Sequence, residues 1–105
     1  MRRGEVWWAR LPKPAGLRPV VLLSRNESYI IRNLMTVAPV TTRIRGITAE
    51  VPLGTQDGMP KACVVNLDTI MTISRSLLKG RITTLHPAKL LAVEDAILFS
   101  LGIVR

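Results

Sequence analysis

The chain is poor in the residue types that carry several common chemistries. Its 105 residues include one cysteine and one histidine, which excludes an internal disulfide and any zinc site built from several Cys and His ligands. It also lacks the Gly-x-Ser-x-Gly motif of hydrolases, a glycine-rich phosphate-binding loop and the His-Glu-x-x-His motif of zinc proteases. We therefore expect a protein that uses no metal and no cofactor.

Long apolar runs and export signals are also missing. No stretch of about 20 apolar residues is present, as a membrane-spanning helix would need, and the first residues show no signal-peptide pattern. A single cysteine suits a reducing compartment. We therefore expect a cytoplasmic protein that does not act in a membrane.

Acidic residues are fewer than half as frequent as basic ones. The sequence has 7 Asp and Glu against 15 Lys and Arg, a net charge of +8. Residues 1–50 carry nine basic and three acidic residues, a net of +6, whereas residues 51–105 carry six and four, a net of +2. Such an excess attracts polyanions, so nucleic acid, an anionic membrane surface or an acidic protein are candidate partners. Charge alone does not choose among them.

Strand-forming sequence, by contrast, is abundant. Hydrophobic residues make up 48% of the chain, which at this length suits one domain, residues 1–105, with one core. We expect the strands predicted at 5–11 and 19–24 to form one hairpin, and those at 34–41 and 47–53 to form another. Residues 25–33 should be a short helix or irregular. Pro39 should lie at an edge or bulge. Short apolar or alternating segments predict strands at 5–11, 19–24, 34–41, 47–53, 62–67, 69–73 and 81–85.

The hydrophobic period changes after residue 86. Apolar residues recur at three- to four-residue spacing, which predicts an amphipathic C-terminal helix, with Pro87 in its first turn and Gly102 near its end. We interpret His86 as a cap or solvent residue of this helix, and Cys63 as an inert filler of a strand. The predicted fold is mainly β, a small barrel capped by one helix. The apolar helix positions are Leu90, Leu91, Val93, Ile97, Leu98 and Leu101.

Arginines and side chains with hydroxyl or amide groups gather on the loops that join the first four strands. If the two hairpins are neighbours, these side chains converge, and guanidinium and hydroxyl groups suit a phosphodiester. An ordinary solvated surface explains the same pattern equally well. The candidates are Arg18, Ser24, Arg25, Asn26, Thr41, Thr42, Arg43 and Arg45.

The order and spacing of four segments along the chain are informative. These segments are Arg3-Gly4-Glu5-Val6-Trp7-Trp8, Arg18-Pro19-Val20-Val21-Leu22-Leu23-Ser24, Val37-Ala38-Pro39-Val40-Thr41-Thr42 and Val64-Val65-Asn66-Leu67-Asp68. In order and spacing they resemble the MazF/PemK-type toxins, and the stretch 69–85 is similar to the end of that family's barrel. The resemblance covers nearly the whole chain. It implies an SH3-like, CcdB-like barrel that forms a homodimer, cleaves single-stranded RNA at specific sequences without a metal, and is bound by an antitoxin protein in its RNA groove.

The resemblance also implies roles for individual residues. The family's catalytic arginine and threonine match Arg18 and Thr41, and the turn after Thr41 is similar to an RNA-contacting loop. The expected nucleophile is the 2′-hydroxyl of the RNA, which leaves a 2′,3′-cyclic phosphate and a 5′-hydroxyl and spares DNA. One departure is that residues 12–17 hold no acidic residue, which argues against a carboxylate mechanism in this loop. The predicted RNA-binding residues are Lys13, Ser24, Arg25, Asn26, Thr42, Arg43 and Arg45.

Two other functions are compatible with the sequence. A toxin of the same barrel type would poison DNA gyrase through its C-terminal helix, although the matching Arg18 and Thr41 speak against it. A plain RNA-binding module would bind RNA with a steep dependence on salt and never cut it, but the basic loops show no aromatic platform. Trp8 and Arg10 would either pack at a dimer interface or under the helix, or contact RNA or the antitoxin.

Overall fold

The structure, a computed structural model, describes residues 1–104. The helix allowed within 25–33 is a single turn, Ser28–Ile31, and the last strand starts earlier than the sequence predicts, at Leu78 rather than residue 81. The other strands match the predicted segments within a few residues. The elements are β1 Glu5–Leu11, β2 Gly16–Leu22, α1 Ser28–Ile31, β3 Leu34–Thr41, β4 Glu50–Leu53, β5 Cys63–Asn66, β6 Met71–Ser74, β7 Leu78–Thr84 and α2 Pro87–Ser100.

All seven strands belong to one antiparallel sheet. Their order is β4-β5-β3-β2-β1-β7, and β6 pairs with β3 beside that path. The prediction of a mainly β fold with a C-terminal helix is therefore confirmed. Within residues 1–104, no ladder joins the outer strands β4 and β7, so the sheet is not closed into a complete barrel.

Apolar side chains are buried on both faces of this sheet. Along β2, Val20 belongs to one cluster and Val21 to the other, because successive side chains of a strand point to opposite faces. The cluster of Val21 includes Val93 and Ala96 of α2, and the cluster of Val20 includes Tyr29 of α1. The expectation of one core is therefore wrong, because each face of the sheet has a separate cluster of buried apolar side chains.

β2 begins three residues earlier than the sequence predicts. Leu17 and Arg18 pair with Arg10 and Ala9 of β1, so the strand starts at Gly16. Gly16 has a φ of 68°, a left-handed conformation that glycine adopts without steric cost and that completes the β1–β2 turn. Arg18 consequently lies in a paired strand, which fixes its backbone, rather than on a loop.

β3 and β4 do not form the predicted hairpin. β4 begins at Glu50 and pairs with β5, for example through Val51 and Val65. β5 also pairs with the end of β3, through Val65 and Val40, and so lies between the two strands. The hairpin is excluded because β5 and β6 occupy the edge of β3 that β4 would need.

α2 begins and ends as the sequence predicts. The Nδ1 atom of His86 accepts a hydrogen bond from the backbone N–H of Ala88 at 3.2 Å, and Pro87 is the first helical residue. Gly102 follows the helix with a φ of 70°, as is common after a helix C-terminus. The capping role of His86 is therefore confirmed.

The outer side of α2 differs from the prediction. Leu91 and Leu101, which the periodicity places on the core face, are exposed, as is Phe99. The helix is therefore apolar nearly all round rather than amphipathic. Within residues 1–104, no helix is both long and apolar enough to cross a membrane.

Candidate functional site

A cleft opens where β3 changes its strand partners. On one side, β3 pairs with β6 up to Val37 and with β5 from Val40 onward; on the other, its pairing with β2 ends at Pro39. Beyond Pro39 the cavity has a volume of about 240 Å³. Pro39 thus lies in a central strand and not at an edge, which is one of the two positions that the sequence allows. It falls in the gap between two partners of β3, where a missing N–H interrupts no ladder.

Arg18 and Thr41 meet at this cleft. Val20 of β2 pairs with Pro39 of β3, and the same antiparallel register two residues further on brings Arg18 opposite Thr41. Both residues line the cavity. The structure therefore brings together the two residues that the sequence puts forward as catalytic.

The β1–β2 turn orients the Arg18 side chain. Its Nε donates a hydrogen bond to the carbonyl oxygen of Ala15 at 2.8 Å, and the side chain is exposed. Nη1 and Nη2 have no hydrogen-bond or ion-pair partner among residues 1–104. These two nitrogens are consequently available to hold two oxygens of one phosphate.

The hydroxyl proton of Thr41 is free to be donated to a ligand. Its Oγ1 accepts a hydrogen bond from the backbone N–H of Arg43 at 3.1 Å. Because a hydroxyl has one proton and two lone pairs, this contact uses a lone pair and leaves the proton free. Thr41 can therefore donate to a phosphate oxygen while its own position is fixed by the turn that follows it.

A buried carboxylate holds the segment after Thr41. Oε1 of Glu50, at the start of β4, accepts hydrogen bonds from the backbone N–H groups of Arg45 at 2.9 Å and Gly46 at 3.0 Å. Thr42 in this segment lines the cleft, and Arg43 is exposed beside it. Glu50 thereby fixes the conformation of the loop that carries three of the predicted RNA-binding residues.

Three residues of the cleft lining belong to the loop 54–61, where the sequence places RNA specificity without naming individual residues. Met59, Pro60 and Lys61 reach the cleft from the loop before β5, and Lys61 adds a second exposed cation. Nothing in the sequence places this loop beside Arg18, because that placement depends on β5 pairing with β3. Trp8, for which the sequence allows two interpretations, also lines the cleft.

Cys63 lines the same cleft with a buried side chain. Burial, together with the negative charge of Asp57, raises the pKa of its thiol. A thiol with a raised pKa stays protonated at neutral pH and reacts poorly. This agrees with the interpretation of Cys63 as an inert filler of a strand.

Three predicted RNA-binding residues lie elsewhere. Ser24, Arg25 and Asn26 follow the far end of β2, roughly 20 Å from Arg18 along an extended strand. There the side chains of Ser24 and Asn26 each accept a hydrogen bond from a backbone N–H at 2.8 Å. The predicted convergence is wrong for these residues, because they follow the opposite end of β2 from Arg18. Lys13 is exposed in the β1–β2 turn, on the same side as Arg18.

The described cleft lining contains no carboxylate and no imidazole. Across residues 1–104, no three His, Cys, Asp or Glu side chains lie close enough together to hold a metal ion. The charged and hydroxyl groups present are those of Arg18, Lys61, Thr41 and Thr42. Such groups can bind and polarise a phosphate.

Fold and cleft together define a small basic β-sheet protein with a cleft, lined by cationic and hydroxyl side chains, between two central strands. The chain belongs to the PemK-like, MazF-like toxins of type II toxin-antitoxin systems, because that family's sequence pattern matches residues 2–101. The chain is similar to "Probable endoribonuclease MazF5" of Mycobacterium tuberculosis. The two are 38% identical over 96 residues, which is 90% of this chain and 87% of the relative.

Solved structures agree with this assignment. Mycobacterium tuberculosis toxin MazF-mt6 has a TM-score of 0.89 and 30% sequence identity, over 96% of this chain and 99% of that chain. A MazE-MazF crystal structure from Deinococcus radiodurans has a TM-score of 0.81 and 25% identity, over 99% and 97% of the two chains. The family and fold implied by the sequence resemblance are therefore confirmed.

Proposed function

We propose that this toxin cleaves single-stranded RNA at specific sequences, with the scissile phosphate bound between Arg18 and Thr41. The observation that carries the proposal is the pairing of two free donor groups across one cleft: the terminal nitrogens of Arg18 and the hydroxyl proton of Thr41. The endoribonuclease name of the M. tuberculosis relative supports the same reaction. No such support exists for the gyrase alternative.

The reaction is an attack by the RNA on its own backbone. The 2′-oxygen forms a bond to phosphorus as the bond from phosphorus to the 5′-oxygen breaks. The 2′-hydroxyl loses its proton and the departing 5′-oxygen gains one. The products are a 2′,3′-cyclic phosphate and a 5′-hydroxyl, and DNA is inert because it lacks the nucleophile.

Arg18 and Thr41 act on the charge that develops at phosphorus. In the transition state the non-bridging oxygens gain negative charge, which the Arg18 fork and the Thr41 hydroxyl stabilise. A guanidinium stays protonated in proteins and offers no acceptor atom, so Arg18 is a poor general base. We assign charge stabilisation to these two residues and assign the proton transfers to no particular group.

The proposal extends to the residues around the cleft. Lys13 in the β1–β2 turn, and Thr42, Arg43 and Arg45 in the segment that Glu50 holds, bind the RNA on either side of the cut. Ser24, Arg25 and Asn26 are left out of this set, because they follow the end of β2 that lies away from Arg18.

We also propose the partners and setting of the toxin. An antitoxin protein covers the cleft and competes with RNA, in keeping with the family's toxin-antitoxin description and the MazE-MazF structure. The toxin is a homodimer, which would cover part of the apolar surface that one chain leaves exposed at Ile30, Ile31 and the outer side of α2. Its place of action is the cytoplasm, where its RNA substrate is translated.

Variants of Arg18 test the site. Arg18→Ala should lower the cleavage rate by about 10²- to 10³-fold, since one positioned donor group typically contributes that much. Arg18→Lys keeps the charge but loses the two-nitrogen fork, and should recover only part of the rate. Arg32→Ala, which removes an exposed charge at the end of α1, is the matched control. Equal cleavage by Arg18→Ala and Arg32→Ala would remove Arg18 from the site.

A further inference from the structure

Trp8 is the large aromatic side chain at the cleft. It lies on β1 opposite Pro19 of β2, and both residues line the cavity. Val6, on the same face of β1, is fully buried, whereas 36% of Trp8 is exposed. The apolar face of β1 that is buried at Val6 therefore continues to Trp8, where part of the indole is exposed in the cleft.

The rest of the cleft lining is more apolar than a phosphate needs. Besides Trp8 and Pro19, its apolar residues are Leu17, Val40, Met59 and Pro60. A phosphate is bound by donors and cations alone, so these walls suit an uncharged flat group that enters with it. The volume, about 240 Å³, is below the roughly 300 Å³ at which pockets for drug-sized ligands begin. It therefore suits one ring system.

We propose that the cleft is also a base-binding subsite, in which one unpaired nucleobase next to the cut stacks on the indole of Trp8. This inference rests on the proposed function. An aromatic side chain beside a cation is the usual platform for an unpaired base, because every base has a π-face and is joined to a phosphate. Arg18 and Lys61 supply the cations at this cleft.

The subsite gives a physical reason for a single-stranded substrate. A base in a duplex is stacked and paired, and reaches a pocket only after both contacts are broken. The indole therefore favours unpaired RNA before any base edge is read. A side chain of the antitoxin is the other occupant that an apolar cleft would accept. We favour the base, because Arg18 and Thr41 on the same cleft present free donors to a phosphate.

Single-tryptophan variants test the subsite directly. The chain has two tryptophans, so Trp7→Phe leaves Trp8 as the only one, and Trp8→Phe leaves Trp7, which packs against a core cluster and donates to Glu5. Each protein is titrated with an RNA oligonucleotide that carries one 2′-deoxy nucleotide at the mapped cut and cannot be cleaved. We expect quenching of tryptophan fluorescence in Trp7→Phe and little change in Trp8→Phe.

A second titration removes the base instead of the indole. The same oligonucleotide with an abasic site next to the cut should bind the unaltered protein about 5- to 150-fold more weakly. Trp8→Ala, which lacks the indole, should bind the abasic and the intact oligonucleotides with almost equal affinity. Equal binding of both oligonucleotides to the unaltered protein, or an unquenched Trp8, would overturn the subsite while cleavage stands. If the unaltered protein does not cut RNA, both the subsite and the proposed function fail.

Discussion

At the scale of single residues, the chemistry depends on how few contacts Arg18 and Thr41 make with the rest of the protein. Each is held by one hydrogen bond to a neighbouring backbone group, at Ala15 and Arg43 respectively. Both contacts orient the side chain without using the groups that face the phosphate. A binding site for a charged group needs such unsatisfied donors, since donors already paired within the protein contribute little to a ligand.

Substitutions of Thr41 separate the role of its hydroxyl from that of its shape. Thr41→Val keeps the β-branched shape but loses the hydroxyl, and should lower the cleavage rate by about 10²-fold or more. Thr41→Ser keeps both the donor and the acceptor for the Arg43 N–H, and should stay within about tenfold of the unaltered protein. Single-turnover cleavage of one RNA measures both. A fast Thr41→Val enzyme would contradict the role of the hydroxyl.

At the scale of elements, the segment between β3 and β4 depends on one buried side chain. Glu50 holds two backbone N–H groups of this segment through Oε1, while its Oε2 is buried without a hydrogen-bond partner in the part of the chain that the structure describes. A charged acceptor makes stronger hydrogen bonds than a neutral one. The loop that carries Thr42 and Arg43 therefore depends on the Glu50 side chain as an acceptor.

Glu50→Gln tests this dependence. The amide oxygen of Gln accepts hydrogen bonds more weakly than a carboxylate, and its N–H groups replace an oxygen that is buried without a partner. The free energy of unfolding should therefore fall by about 1–2 kcal/mol. Displacement of the loop should also slow cleavage, by up to about 10²-fold. Glu27→Gln, the same change at an exposed residue without a capping bond, is the control for thermal unfolding and cleavage. Equal behaviour of the two variants would contradict the role of Glu50.

Most elements were predictable from the sequence, because alternation and three- to four-residue spacing are local signals. β1, β3 and α2 lie where these patterns place them. The pairing of strands was less predictable. β5 inserts beside β3, a contact between distant segments that no local pattern contains, and this insertion creates the cleft and brings Lys61 to it.

The same limit explains which site residues were found. Arg18 and Thr41 were identified from the family resemblance, whereas residue types alone left them as possible surface residues. Ser24 was misplaced, because a residue following a strand was grouped with residues preceding it. The direction of β2 separates these two ends, and residue types do not show that distance.

At the scale of the whole molecule, one buried tyrosine makes the fold sensitive to alkali. Tyr29 is the only tyrosine, it lies in the core on the α1 side of the sheet, and burial raises its pKa from 10.0 to about 12. Because the folded-state pKa exceeds the unfolded one, the protein should lose stability as pH rises from about 10 through 12. The loss is on the order of 3 kcal/mol.

Tyr29→Phe is the matched control for that loss. The Tyr29 hydroxyl lies near Ser24 but makes no well-formed hydrogen bond among the described residues, so its removal should change stability near neutral pH by less than about 1 kcal/mol. Denaturant unfolding at several pH values should then show a smaller alkaline loss in the variant, and near-ultraviolet phenolate absorbance should follow the pKa of Tyr29. Parallel losses in both proteins would assign the effect to other groups, including the Cys63 thiol.

Cleavage of RNA in EDTA, with the product ends identified, is the decisive test of the mechanism proposed for Arg18 and Thr41. The account predicts that purified toxin cuts single-stranded RNA without a divalent ion and leaves 5′-hydroxyl ends, which a kinase labels without prior phosphatase treatment, opposite 2′,3′-cyclic phosphates. One 2′-deoxy nucleotide at the cut should abolish the reaction. Cleavage that needs a divalent ion, leaves 3′-hydroxyl ends or proceeds at the 2′-deoxy position would contradict the account.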